Sequence, residues 1–233
     1  MIIQGVTLKN VGFIVDAEIV PGSILNLDAG TGISGSTWVN AGTSGSNLDY
    51  TLLNNPTTTT VNGRTVLSFA GGAAQSPGSM TRQYAFNDTG IVELINSNQA
   101  FTLEVWCSPR AANAGNLIKE FGQSLNGVPS PGWEDSWLAF NNGNIYTGFW
   151  TGSGNAYATA AAYTQNNWYQ VVMSYNGTNQ LKTYVNNALG STQNISRSAN
   201  GYGCMLSIAA CEQYTYLGGP NPYFTGYIGE FRI

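Results

Sequence analysis

Few residues in this chain can do chemistry, and their types exclude more than they suggest. None of the 233 residues is histidine, which removes imidazole bases, Ser-His-Asp triads and histidine metal sites. Cys107, Cys204 and Cys211 are too scattered for a zinc site, and no G-x-x-x-x-G-K phosphate loop is present. Cleaving a glycosidic bond takes two carboxylates flanking it, roughly 5 Å apart when configuration is retained. Glu104 stands alone in FTLEVW, whereas Glu134 and Asp135 are adjacent in a Pro/Gly-bounded loop. Adjacent residues of an extended chain point to opposite faces, so this pair cannot serve one bond. The chain is therefore expected not to be an enzyme, with a glycoside hydrolase as the remote alternative.

The remaining candidates are aromatic and acidic. Trp133, Trp137, Tyr146, Trp150, Tyr157 and Tyr163 fall in one third of the chain amid Asn, Gly and Ser. Aromatic faces cover the apolar C–H side of a sugar ring while amides and carboxylates fix its hydroxyls. The first five are the candidate carbohydrate-binding residues, and filling the space between sheets is the competing role. Tyr202, Tyr214, Tyr216, Tyr223 and Phe224 suggest a second exposed patch or a subunit interface. No cofactor is required. Calcium is the one candidate, with Asp28 and Glu230 as oxygen ligands if the two chain ends pair, although Asp28 equally suits a cap on the Ala29-Gly30 turn.

Elements that position such residues must be strands. Charged residues make up 9% of the chain, against about 25% in ordinary domains. Helical periodicity is absent beyond a possible two turns over Thr89 to Asn96. Short alternating segments between turn residues predict an all-β, two-sheet antiparallel jelly-roll sandwich. In FTLEVWCSP, Phe101, Leu103, Val105 and Cys107 share one face; in TVNGRTVLSFAGG, read as one strand, Val66, Leu67 and Phe69 point inward. Hairpins are expected about Asn142-Gly143 and Asn176-Gly177, residues 30 to 46 read as an irregular loop, and residues 151 to 167 are small and polar with Tyr157 and Tyr163. Cys204 and Cys211 flank a strand-like MLSIAA of ~23 Å, too far for a disulfide. Residues 1 to 22 form a separate arm or docking segment in which Val6, Leu8, Val11, Phe13 and Val15 alternate with polar residues, and Pro21-Gly22 breaks it from a domain over 23 to 233. Eight scattered Lys and Arg with a net charge of -4 argue against nucleic acid and anionic membranes as partners. No apolar run reaches the ~20 residues of a membrane span, and the N-terminus lacks the pattern of a standard signal peptide.

The segments SILNLDAG, AFTLEVWCSP, NNWYQVVMSYNGTNQLKTYVNNALGS and the closing GYIGEFRI resemble, in order, the motifs of the laminin G-like branch of the concanavalin A-like lectin/glucanase superfamily. The resemblance covers about residues 23 to 233. It implies a jelly roll with its opening and closing strands side by side. Two departures stand out. Asn187 replaces the glycine after Tyr-Val-Asn, and Gly229-Glu230 replaces the acidic pair of the closing strand, which weakens the case for calcium there.

Three functional readings follow. The first is a structural protein of a bacteriophage virion (capsid-decoration, head-fibre or tail-associated), assembled in the host cytoplasm. It would be homo-oligomeric, use the arm to add a strand to a neighbour's sheet, and contact host glycans. This rests on analogy with lectin-like domains in phage proteins. The second is a secreted or cell-surface carbohydrate-binding module, and the third is the hydrolase.

Overall fold

The computed structural model describes residues 22–73, 81–87, 99–121, 124–125, 128–129, 134–151, 153–197, 205–210 and 223–233. The arm residues Val6, Leu8, Val11, Phe13 and Val15, the helix expected at Thr89 to Asn96, Trp133, Cys204 and Cys211 lie outside the described residues.

Strands come in chain order as follows. The first group is β1 (Asn26–Asp28), β2 (Ile33–Ser34), β3 (Thr37–Trp38), β4 (Tyr50–Leu53), β5 (Thr57–Val61), β6 (Arg64–Gly72) and β7 (Tyr84–Phe86). Next are β8 (Ala100–Pro109), β9 (Gly115–Phe121), β10 (Ser124–Leu125), β11 (Val128–Pro129), β12 (Glu134–Asn141), β13 (Asn144–Trp150) and β14 (Asn155–Ala162). The last are β15 (Tyr169–Asn176), β16 (Gln180–Val185), β17 (Ala188–Asn194), β18 (Met205–Ile208) and β19 (Tyr223–Arg232). Antiparallel pairing arranges them in two layers. One runs β5-β6-β19-β8-β15-β16-β17, with β1 beside the C-terminal part of β19. The other runs β3-β4-β7-β18-β9-β12-β13-β14. The opening strand pairs with the closing strand, Asn26 opposite Arg232 and Asp28 opposite Glu230, which covers an edge that would otherwise be exposed.

Alternation produces the core. β8 turns Phe101, Leu103, Val105 and Cys107 inward, β15 turns Tyr169, Val171, Met173 and Tyr175 inward, and all are buried. Thr147 on β13 and Thr183 on β16 meet across the layers through a 2.7 Å hydroxyl contact, so these buried hydroxyls satisfy each other. Burial raises the Cys107 thiol above its ordinary range. Val66 departs from the expected pattern. Leu67 and Phe69 face the core, with Leu67 opposite Ile228 on the ladder, so the intervening side of β6 carries Val66 on the outer face, where it is nonetheless buried.

Turn chemistry explains most of the other differences. Asn142 and Gly143 have φ of 49° and 71° and join β12 to β13, as their preference for positive φ predicts. Asn62-Gly63, with φ of 51° and 80°, does the same inside TVNGRTVL, which is therefore a hairpin and not one strand. Asn186 and Asn187 make a third such turn, at 50° and 65°. The Asn176 hairpin is longer: its side-chain oxygen accepts the backbone N–H of Thr178, Asn179 and Gln180, each at 2.9 Å. The 151 to 167 stretch contains β14, hidden in the sequence because NAYATAAA has small residues where a strand usually carries branched ones. Its edge lies against β17 so closely that a Cβ on Gly190 would stand 2.2 Å from the Ala160 carbonyl oxygen.

Candidate functional site

Three of the five candidate sugar-binding aromatics come together. On β13 the inward residues Ile145, Thr147 and Phe149 are buried, so Tyr146, Gly148 and Trp150 lie on the outer face. Tyr157 of β14 is opposite Gly148, between the two β13 aromatics. The absence of a side chain at position 148 makes this possible, since a Cβ there would approach the Tyr157 ring carbon Cδ1 to 2.5 Å and the Ala156 carbonyl oxygen to 2.0 Å. Tyr146, Tyr157 and Trp150 thus form one row, all three partly exposed, along about 13 Å of strand. Thr159, opposite Tyr146, is exposed, and Asn144 on the same side of β13 is partly so. A row of rings edged by a hydroxyl and an amide suits a short sugar chain laid along β13.

Gly148→Val should therefore displace Tyr157 and loosen the β13–β14 pairing, with a loss of stability of about 1–3 kcal/mol, the usual cost of overpacking. Thermal unfolding checks this, and an unchanged melting temperature would contradict it.

Trp137 needs correction. It is fully buried, stacked on Phe101 at 5.5 Å between centroids and edge-on to Phe149 at 5.0 Å. Its Nε1 donates to Glu120 Oε2 at 2.8 Å. It belongs to the core because the β12–β9 register slips between Ser136 and Leu138, and this bulge turns Trp137 inward alongside Leu138. Tyr163 is also buried, and its hydroxyl donates to the Ala111 and Ala112 carbonyls at 2.9 and 2.6 Å. Tyr223 and Phe224, read as part of a second exposed patch, are fully buried. Glu134 and Asp135 start a strand instead of lying in a loop.

Sequence reasoning missed the charges around these aromatics. Glu120 is fully buried, and Arg197 NH2 donates to both of its oxygens at 2.9 and 3.1 Å. The guanidinium lies over the Trp137 ring at 4.8 Å. Nothing in KEF or ISR announces this pair, because it is joined across 77 positions.

The candidate calcium ligands do come together, Asp28 opposite Glu230. The site already holds cations, however. Arg64 makes an ion pair with Glu230 and lies 3.9 Å from Asp28, and Arg232 NH2 lies 2.5 Å from the other Glu230 oxygen. Asp28 also accepts from the Gly30 N–H at 2.8 Å and the Thr31 hydroxyl at 3.0 Å, the turn-capping role. Burial pulls the Arg64 guanidinium below its ordinary value, Asp28 opposing and Arg232 reinforcing this. Two carboxylates facing two guanidiniums do not fit a divalent cation. Millimolar calcium should leave the melting temperature unchanged, since only a ligand that binds the native state raises it. A calcium-dependent rise that Asp28→Asn removes would overturn this.

The architecture and its motifs decide the family. The family model described as "Concanavalin A-like lectin/glucanases superfamily" matches residues 81–233. The chain belongs to that superfamily. Solved structures agree on the fold. A structure of botulinum neurotoxin type C, whose cell entry is dependent upon interaction with two ganglioside molecules, superposes with a TM-score of 0.60 at 13% identity, over 91% of this chain and 47% of that one. Domain 4 of AbnA, a GH43 extracellular arabinanase from Geobacillus stearothermophilus solved with arabinotriose, gives 0.54 at 12% identity, over 90% of both chains. Trypanosoma rangeli sialidase gives 0.57 at 15% identity, over 92% of this chain and 31% of that one. The chain thus spans about half the length of the toxin structure. No curated protein matches. Like its superfamily, the domain is a lectin-like jelly roll.

Proposed function

We propose that this chain is a non-catalytic domain that binds a short, extended glycan along the Tyr146–Tyr157–Trp150 row, and that it serves a bacteriophage structural protein in contacting the host surface. The row itself carries the glycan reading: three partly exposed rings aligned on one outer face of a lectin-like sandwich. One structure sharing this fold was solved with arabinotriose and another is of a toxin whose cell entry depends on gangliosides, which supports a saccharide as ligand. Two observations favour a non-catalytic role. Asp28 and Glu230, brought together by pairing, are engaged by guanidiniums, and Glu104 is tied to the indole N–H of Trp106 at 2.9 Å and to the Gln170 amide at 2.6 Å.

The virion role rests on sequence features, namely sparse charge and an alternating apolar arm of the kind that adds a strand to a neighbouring sheet. Among the described residues β5 pairs with β6 alone, which offers a place for such an addition. One observation favours a secreted carbohydrate-binding module instead: the match to Domain 4 of an extracellular arabinanase extends over nine tenths of both chains. A glycan array with the intact protein tests the binding reading; binding to no glycan, or binding that survives loss of the row, refutes it. Co-sedimentation with phage particles separates the two settings, and a protein that never associates with particles and stays monomeric refutes the virion role.

A further inference from the structure

We propose that the ligand of the Tyr146–Tyr157–Trp150 row is an uncharged, linear trisaccharide segment, and that acidic and cationic glycans are refused there. The proposal rests on the reading of that row as a glycan site and names the class of its ligand.

The placement of the cations carries it. The chain has eight Lys and Arg, of which all but Lys9 lie among the described residues. Arg64 and Arg232 are ion-paired with Glu230 beside β1. Arg110 follows β8 and donates from NH1 to the Tyr227 hydroxyl at 2.7 Å, its guanidinium 4.9 Å from that ring's centre. Lys182 alternates on β16 with the buried Leu181 and Thr183. These four belong to the opposite layer. Arg82 lies against Gly72 at the end of β6, where an added Cβ would stand 2.6 Å from its Nε. Arg197 is inside the core on Glu120. Lys119 is buried on β9, two strands and about 10 Å from β13. No cation among the described residues therefore stands beside the row. The segments after Gly22 that lie outside the described residues contain no Lys or Arg at all.

These surroundings select by charge. An acidic sugar laid on the rings gives up hydration and meets no guanidinium or ammonium in exchange, in a chain whose net charge is already -4. A cation is held best where aromatic faces enclose it, and this row offers a single face. Hydroxyls do find partners. Thr159, exposed opposite Tyr146, can donate and accept, and Asn144, whose amide nitrogen donates to the Asn142 carbonyl at 3.1 Å, presents its oxygen. The geometry also sets the length. Tyr157 leans over Gly148, where an added Cβ would lie 2.5 Å from its Cδ1. Its ring thus stands between Tyr146 and Trp150 with about 6.6 Å of strand to either side, and each of the three rings can cover one sugar of an extended chain. Recognition without ion pairs is insensitive to salt.

The test applies the intact protein to a glycan array and then to isothermal titration with cellotriose, xylotriose, arabinotriose, triacetylchitotriose, trigalacturonic acid and chitotriose. At least one of the four neutral trisaccharides should bind at least tenfold more tightly than the acidic and the cationic one, and at least tenfold more tightly than its own monosaccharide. Its affinity should change by less than about twofold between about 0.01 M and about 1 M salt. Thr159→Lys, which places an ammonium beside Tyr146, should raise the affinity for trigalacturonic acid at least tenfold at low salt. Preference for the acidic or the cationic trisaccharide, loss of affinity in salt, equal binding of monosaccharide and trisaccharide, or a Thr159→Lys protein indifferent to trigalacturonic acid overturns the proposal. If the binding seen is nonetheless lost in the Trp150→Ala, Tyr157→Ala double variant, the row remains a glycan site and only the class of ligand is wrong. If neutral trisaccharides bind the double variant as well as the parent, the row itself is wrong. Binding of no array glycan and no trisaccharide overturns both.

Discussion

Arg197→Met is expected to destabilise the domain by about 3–5 kcal/mol, the cost of removing one partner from a buried ion pair. Arg197 is buried and donates to both oxygens of Glu120. Methionine roughly preserves the aliphatic length but leaves a carboxylate inside the core without its guanidinium. The substitution also removes the cation that lies 4.8 Å from the Trp137 ring centre, a smaller contribution of the cation–π kind. Urea unfolding at neutral pH measures the loss, and a change below about 1 kcal/mol would show that the pair is dispensable. The double variant Glu120→Gln, Arg197→Met separates charge from packing. Gln keeps an acceptor for the Trp137 N–H without a buried charge, so the double variant should be more stable than Arg197→Met alone. This pair is linked to the Tyr146–Tyr157–Trp150 row through the core. It anchors Trp137, which packs edge-on against Phe149, and Phe149 lies between Gly148 and Trp150 on β13.

The distinction between what the sequence reveals and what it hides follows the range of the interactions. Alternation in FTLEVWCSP placed Phe101, Leu103, Val105 and Cys107 in the core, and Asn142-Gly143 located a hairpin, because both signals are local. The pairing of β1 with β19 followed from the motif order of the superfamily. Local reading failed where one residue broke the period of two. The bulge beside Trp137 turned an expected binding residue into a core residue, and Asn62-Gly63 lay unnoticed inside an apparent strand. β14 went unread because small residues carry no pattern. The cations failed for another reason: Arg64 meets Glu230, and Arg197 meets Glu120, only after distant strands are placed, and no spacing in the sequence marks either meeting. The calcium expectation counted the acids that pairing brings together but not the arginines brought with them.

Trp150→Ala is expected to lower glycan affinity by about tenfold to a hundredfold, or roughly 1.4–2.8 kcal/mol, as for a central aromatic anchor. Tyr157→Ala should act similarly, because its ring occupies the middle of the row above Gly148. The two rings meet the same sugar chain, so the double variant should bind too weakly to measure even if the single losses are not additive. Stability should change little. Both side chains are partly exposed on the outer face, and substitutions outside the core usually cost well under the 3–5 kcal/mol expected for Arg197→Met. That contrast makes the experiment decisive, because lost binding with an unchanged melting temperature assigns the rings to recognition. Phe149→Ala is the control on the inward side of the same strand, where a buried ring is removed at a cost of about 3–5 kcal/mol. Isothermal titration with the best ligand from the array provides the affinities, and a Trp150→Ala protein that binds like the parent would return this row to the role of a surface cover.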